Sequence, residues 1–329
     1  MKNVKPWIWG VIWLGVVLIG VGIWFLSQDA GDRMSTSTPT QIAFPTLTPI
    51  PTPTRTPTPA PLTFDPEVAY QRVLEQCGFG PRPPGSINNR QLGDYLLSTV
   101  QSFGWQTLVH EFVYQDVPCR NITAQKGTGP LVILGAHYDT RPYADYDPPQ
   151  TRDQYILGAN DGGSGVAVLL ELARVLNMDV VPYEVWLVFF DAEDSGRLDG
   201  WPFSVGAREY VQTLQVEPAL VIVVDMVGDQ EQTLYWEGNS HPQLRELVWT
   251  VADELGYGQF FIPQVQWHII DDHLPFVEKG WKAIDIIDFD YPYWHTTQDT
   301  ADRVSAESLG RVGRVLEVCI EQGRFIETE

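Results

Sequence analysis

Beyond residue 61 the chain alternates between two hydrophobic patterns. Leu131-Val-Ile-Leu-Gly-Ala136, Val185-Trp-Leu-Val-Phe-Phe190 and Leu220-Val-Ile-Val-Val224 are short apolar runs, which predict strands buried on both faces. Ala283–Ile287 predicts another strand, and 105–114 and 120–124 predict two more. Elsewhere the spacing is helical. Asp65-Pro66-Glu67 supplies a capping side chain, a proline at the first helical position and an acid in the first turn. Ser86 opens a second helix that ends near Gly104, and 166–176 predicts a mostly apolar one. After Ser305, Leu309, Val312, Leu316 and Cys319 recur at helical spacing, with Glu307 in the first turn. Strands alternating with helices predict an α/β domain around a largely parallel sheet.

The first 61 residues follow neither pattern. Trp7 to Leu26 is a run of 20 residues without a charge, enough for one transmembrane helix. Lys2 and Lys5 precede it and Asp29 and Asp32 follow, which orients the N-terminus to the cytoplasm and the rest outside. Trp7, Trp9, Trp13 and Trp24 include residues near both ends, where an amphipathic ring suits the membrane interface. The run is longer than the apolar region of a signal peptide, and Ser-Gln-Asp-Ala-Gly after Leu26 is a poor cleavage site. The expectation is a cytoplasmic stub and retained anchor over residues 1–34, making a single-pass membrane protein. Residues 35–61 hold eight prolines and nine threonines, with Arg55 the only charge, and read as a semi-rigid stalk. Residues 62–329 are the expected catalytic domain.

Charge narrows the function classes. The chain has 21 basic and 42 acidic residues, a net charge of −21, which argues against a nucleic-acid partner. The anchor and stalk hold four basic and two acidic groups, so the domain alone carries −23. Most of that is a solvated acidic surface. Three cysteines allow at most one disulfide, and none lies beside a candidate metal motif.

The acids that punctuate the buried runs are the informative ones. His137 and Asp139 follow the first run, Glu193 and Asp194 the second, and Asp225 ends the third. Ligands of open α/β sheets bind beyond the carboxyl ends of strands. Asp161 lies in the turn Gly158-Ala-Asn-Asp-Gly-Gly-Ser-Gly165, directly before a helix. His137, Asp161, Asp194, Asp225 and His295 form a nitrogen and oxygen donor set that suits zinc. Asp139 is placed to orient the His137 imidazole. Glu193, beside a ligand but not ligating, stands where a general base or acid is needed.

These pieces resemble metallopeptidase family twenty-eight, the co-catalytic zinc aminopeptidases, and its glutaminyl cyclase relatives. The matching segments are Ala136-His-Tyr-Asp-Thr140, Leu157-Gly-Ala-Asn-Asp-Gly-Gly-Ser-Gly165, Phe189-Phe-Asp-Ala-Glu-Asp194, Val224-Asp-Met-Val-Gly228 and Trp294-His-Thr-Thr-Gln-Asp-Thr300, in the family's order. The resemblance implies a three-layer α/β/α sandwich with a mixed, mainly parallel central sheet. Thr140-Arg-Pro-Tyr-Ala-Asp145 and Asp271-Asp-His-Leu-Pro-Phe276 resemble the cyclase branch, and the second maps a catalytic aspartate onto Asp271. Asp194 departs from the commoner pattern, where glutamate is usual.

Two mechanisms follow from the resemblance. In a glutaminyl-peptide cyclotransferase, one zinc held by Asp161, Asp194 and His295 polarises the side-chain carbonyl of an N-terminal glutamine. Glu193 moves the proton, Asp225 and Asp271 form a hydrogen-bonded pair, and Trp294, with Trp201 or Tyr291, walls the pocket. In an aminopeptidase, His137 and Asp225 bind a second zinc, Asp161 bridges the pair, and Glu193 activates the water that attacks the first peptide bond. Both act on peptide or protein N-termini. A third class, a non-catalytic binding ectodomain on a stalk, fits poorly with an intact ligand set and base. His273 is the expected neighbour of the catalytic aspartate. His110, His241 and His268 are expected to be structural or exposed, while Tyr143 and Tyr146 could rim the pocket. Asn121-Ile-Thr123 is a glycosylation sequon, relevant only in a host that glycosylates.

Overall fold

The computed structural model describes residues 62–325. The apolar run at 7–26 and the Pro/Thr-rich segment at 35–61 lie outside the described residues. Among the described residues no helix is long and apolar enough to cross a membrane.

The sheet is built from β1 (Gln106–Tyr114), β2 (Val117–Gly127), β3 (Leu131–His137), β4 (Glu184–Phe190), β5 (Leu220–Asp225) and β8 (Ala283–Ile287). Their order across the sheet is β1-β2-β4-β3-β5-β8. β1, β2 and β4 pair antiparallel, whereas β4, β3, β5 and β8 run parallel. The sheet is therefore mixed, with its parallel half in the centre and at the β8 edge. A separate parallel pair, β6 (Leu234–Glu237) and β7 (Phe261–Trp267), lies in a second small sheet.

Why the central runs are uninterrupted is visible in where alternate residues go. Val132, Leu134 and Ala136 of β3 enter one core cluster, while Leu131 and Ile133 enter another. Ile222 and Val224 of β5 join the first, and Val221 and Val223 the second. Each face needs an apolar cover. The first is packed by α1 (Pro66–Gly78), α2 (Ile87–Ser102), α3 (Gly163–Val175), α5 (Pro242–Glu254) and α7 (Ala306–Glu321). The second is packed by α4 (Val205–Thr213) and α6 (Leu274–Glu278).

The predicted helix starts correspond to real caps. Asp65 accepts the backbone N–H groups of Glu67 and Val68, Ser86 that of Asn89, and Ser305 that of Ser308. α3 begins three residues before the expected position, because its entry is made by glycines. Gly162 adopts φ 80°, and a Cβ on Gly165 would stand 2.0 Å from the carbonyl oxygen of Val224. The helix thus lands against the end of β5, and Asp161 comes with it.

Two minor expectations are resolved here. Cys77, Cys119 and Cys319 are free thiols, two of them buried. The sequon does not present a surface asparagine. Asn121 is fully buried: its amide donates to the Gly206 carbonyl at 2.8 Å and accepts the Asp191 N–H at 3.0 Å.

Candidate metal centre and active site

The carboxyl ends of β3, β4 and β5 deliver His137, the Glu193–Asp194 loop and Asp225 to one edge, where Asp161 and His295 join them. Two groups of donors form. His137, Asp161 and Asp225 make one, and Asp161, Asp194 and His295 the other, with ligand atoms within 4.8 Å of one another in each. His137 Nε2 is 3.2 Å from Asp161 Oδ1 and 3.1 Å from Asp225 Oδ1. His295 Nε2 is 2.9 Å from Asp194 Oδ1 and 3.8 Å from Asp161 Oδ2. Asp161 therefore turns one oxygen toward each imidazole.

The donor set fits a divalent cation. All five side chains are buried, yet neither Nδ1 of His295 nor Oδ2 of Asp161 has a hydrogen-bond partner. Burial pushes Asp194 and Asp225 up to about 7, and it raises Asp161, with Asp194 as a further cause. Burial also holds His295 down at about 3, so its imidazole is in the neutral, ligating form. Buried carboxylates facing the neutral His295 imidazole suit a cation, and the mixture of nitrogen and oxygen donors suits zinc.

Three side chains sustain this geometry from behind. Asp139 accepts the backbone N–H groups of Glu193 and Asp194 at 3.1 Å each, and stands 3.4 Å from His137 Nδ1. Asp299 accepts those of Asn160 and Asp161 at 2.9 and 3.1 Å. Arg141 donates to the carbonyls of Asp194 and Gly196 at 3.1 Å each and clamps Asp145 at 2.6 and 2.8 Å. Sequence reasoning singled out Asp139 but assigned no part to Asp299 or Arg141. Both sit in the matched motifs, which was the available signal.

Strain gathers at the same place. Ala192, Ser204, Met226 and His295 have φ values of 60°, 61°, 47° and 57°, in the region that costs a non-glycine residue of order 1–3 kcal/mol. Each flanks or belongs to a site segment. Ser204 faces Glu193, its hydroxyl donating to Oε1 at 3.3 Å.

A cavity of about 340 Å³ opens onto this edge. Asp161, Glu193, Asp194, Asp225, Asp271 and His295 contribute its polar lining, and Tyr146, Phe203, Trp267, Phe289 and Trp294 its aromatic walls. Trp294 packs 4.9 Å from both Phe289 and Tyr146, ring centre to ring centre. Burial pushes the Glu193 carboxyl well above the usual range, reinforced by Asp271 nearby. His137 is not among the residues lining the cavity.

Some expected residues stand elsewhere. Trp201 packs on Tyr114 at 4.8 Å, beside Cys119 and Val205, and does not line the cavity. The reason is local: Trp201 lies in the loop that turns back over β1 and β2. Tyr291 is buried behind Asp161, its hydroxyl donating to Asp299 at 2.8 Å. His273, by contrast, stands beside Asp271 as expected, the two grouping with Asp285 with ligand atoms within 4.8 Å of one another, and its Nε2 lies 3.1 Å from Glu237. Tyr146 rims the cavity while Tyr143 does not, and His268, expected to be bland, is part of the lining. His241 caps α5. Trp267, Phe289 and Phe203 were missed, since isolated aromatics carry no signal of which cavity they will face.

Comparison with known proteins agrees with this geometry. Residues 121–320 match the model of peptidase family M28. Among solved structures, Porphyromonas gingivalis glutaminyl cyclase is 34% identical, with a TM-score of 0.75, over 79% of this chain and 99% of that one. A leucine aminopeptidase precursor from Bacteroides thetaiotaomicron is 32% identical, also at 0.75, over 79% and 98%. The glutaminyl-peptide cyclotransferase of Bothrops jararaca is 24% identical over 288 residues, 73% of this chain and 76% of that protein. Matched over most of its described length, the chain belongs to peptidase family M28.

Proposed function

We propose that this protein is a zinc-dependent glutaminyl-peptide cyclotransferase, anchored to a membrane by residues 7–26 and carried outside the cytoplasm on the 35–61 stalk. The carrying observation is which groups face the cavity. The Asp161, Asp194 and His295 set lines it together with Glu193, Asp225 and Asp271, whereas His137, needed for a second metal, lies behind them.

Zinc held by Asp161, Asp194 and His295 supplies Lewis acidity toward the side-chain amide carbonyl of an N-terminal glutamine. The peptide's own α-amine attacks that carbon. The new carbon–nitrogen bond closes the five-membered lactam, and the bond to the amide nitrogen breaks, releasing ammonia. Glu193 takes the proton that the amine loses and returns one to the leaving nitrogen. Burial suits it to this, because it raises the carboxyl's affinity for a proton. Asp225 and Asp271 share the same floor and hold the reacting amide by hydrogen bonds. The aromatic walls keep water from competing with the amine.

The second reading, a two-zinc aminopeptidase, is favoured by one observation: His137 Nε2 stands within 3.2 Å of both Asp161 and Asp225. The deciding experiment offers a glutaminyl peptide to the protein. Ammonia release with the chain intact supports the cyclase. Release of free glutamine refutes it in favour of the peptidase.

A further inference from the structure

The cavity has a floor and a rim of opposite character. Asp161, Glu193, Asp194, Asp225 and Asp271 line the floor and are at most 7% exposed. Tyr146, Arg197 and His268 line the same cavity and are exposed. Among the described residues Arg197 is the one lysine or arginine in that lining, and its guanidinium makes no ion pair and no hydrogen bond. It lies instead over the Phe203 ring, 5.7 Å from the centre. Arg141, 5.9 Å from the same ring, is already engaged by Asp145 and by the carbonyls of Asp194 and Gly196. The Arg197 backbone is fixed as well. It takes φ 65° and its N–H donates to the Trp201 carbonyl at 2.8 Å, while the Trp201 N–H donates to that of Leu198 at 2.8 Å. Phe203 packs on Gly196, where a Cβ would stand 2.2 Å from the ring, and stacks on His295 at 6.5 Å. An unpaired cation is thus held one aromatic ring away from a proposed zinc ligand.

A glutamine whose side chain reaches the metal fills the buried floor, so the peptide behind it leaves past the exposed rim. A guanidinium at that rim meets the next residues of the substrate. It pairs best with a carboxylate, which accepts two parallel N–H bonds. The acidic floor and the net negative domain repel such a substrate, and one fixed cation at the entrance offsets that repulsion locally. We propose that Arg197 is a specificity residue that binds a substrate carboxylate, so that the enzyme favours glutaminyl peptides carrying negative charge directly after the glutamine. The carboxylate is an acidic side chain at the second or third residue or, in a dipeptide, the C-terminus. The inference rests on the cyclase reading given above.

The test measures ammonia release by full-length wild-type, Arg197→Gln and Arg197→Glu proteins from C-terminally amidated Gln-Glu-Ala, Gln-Ala-Ala and Gln-Lys-Ala peptides. The readout is the ratio of kcat/KM on the glutamate peptide to that on the lysine peptide, in which a general loss of activity cancels. A part-exposed ion pair is worth about 3- to 10-fold, so the wild-type ratio is expected above one by that factor, near one in Arg197→Gln and below one in Arg197→Glu. The wild-type preference should also shrink as salt is added, which tests the inference without a variant. Gln-Ala as the free acid and as the amide separates the two sources: a preference for the acid that Arg197→Gln abolishes assigns the C-terminus, and one confined to the glutamate peptide assigns the side chain. A wild-type enzyme indifferent to all these charges overturns the inference, as does a preference that persists in Arg197→Gln or is insensitive to salt. Wild-type protein that releases no ammonia from any peptide removes the cyclase reading itself, whereas ammonia released without preference removes only the inference.

Discussion

Asp139 accepts the backbone N–H of Asp194 at 3.1 Å through one carboxylate oxygen, and the other oxygen accepts that of Glu193. One buried side chain thus sets the position of a proposed ligand and of the proposed proton carrier. Asp139→Asn turns an amide N–H toward one of those donors, so the loop must shift. Zinc affinity is expected to fall about 10- to 100-fold, as for other orienting partners of a metal site. Competition with a chelator measures it; wild-type affinity in this variant would mean the loop holds itself.

Glu193 does not ligate in this reading, so its loss separates chemistry from metal binding. Glu193→Gln is nearly isosteric and keeps a hydrogen-bond partner for Ser204, but cannot carry the proton. The expected result is roughly a 10²- to 10⁴-fold loss of kcat with wild-type zinc content. A variant that keeps its turnover takes Glu193 out of the mechanism.

The His137→Ala protein discriminates the two readings by metal count. If one zinc suffices, the variant retains its stoichiometry and a substantial part of its activity. If two are needed, elemental analysis will show one equivalent lost and activity collapsing with it.

The metal-free protein has a defined pH response. Burial holds Asp191, Asp194, Asp225, Asp288 and Asp299 at about 7, against 3.8 for a free side chain. A raised folded-state value means that the folded chain binds these protons more tightly than the unfolded one. The stability they contribute is complete below about 4 and is lost as pH climbs through about 7. The denaturation midpoint of chelator-treated protein is expected to fall between about pH 4 and pH 7, and zinc should flatten the slope by favouring the ionised ligands. A midpoint that rises over that interval would contradict the burial of these acids.

How much was legible beforehand depends on whether the signal was periodic. The strands β3, β4 and β5 are uninterrupted apolar runs, β8 is one broken only by Asp285, α7 is a clean helical repeat, and the caps Asp65, Ser86 and Ser305 marked their helices. α4, α5, α6, β6 and β7 escaped notice. β7 has one buried residue among exposed and half-buried ones, and α6 is five residues long, so neither imposes a period. α5 did carry a start signal, Pro242 at its first turn. For the site, residues at strand ends could be placed because the strands could. Asp285 could not: in Ala283–Ile287 it is one polar residue inside an apolar run, and only the fold reveals that its carboxylate comes within 4.8 Å of that of Asp271. Trp201 was misplaced for the converse reason, since its type fits a pocket wall but its loop leads to Tyr114.

The interior position of Asn121 bears on how the protein can be produced. Its amide is shared between the Gly206 carbonyl and the Asp191 N–H, and these contacts join β2 to α4 and to the end of β4. An oligosaccharide attached to the nascent chain would occupy that seam before it closes. A secretory eukaryotic host would therefore divide its output into unmodified chains that fold and modified ones that do not, whereas a cytoplasmic bacterial host avoids the division altogether.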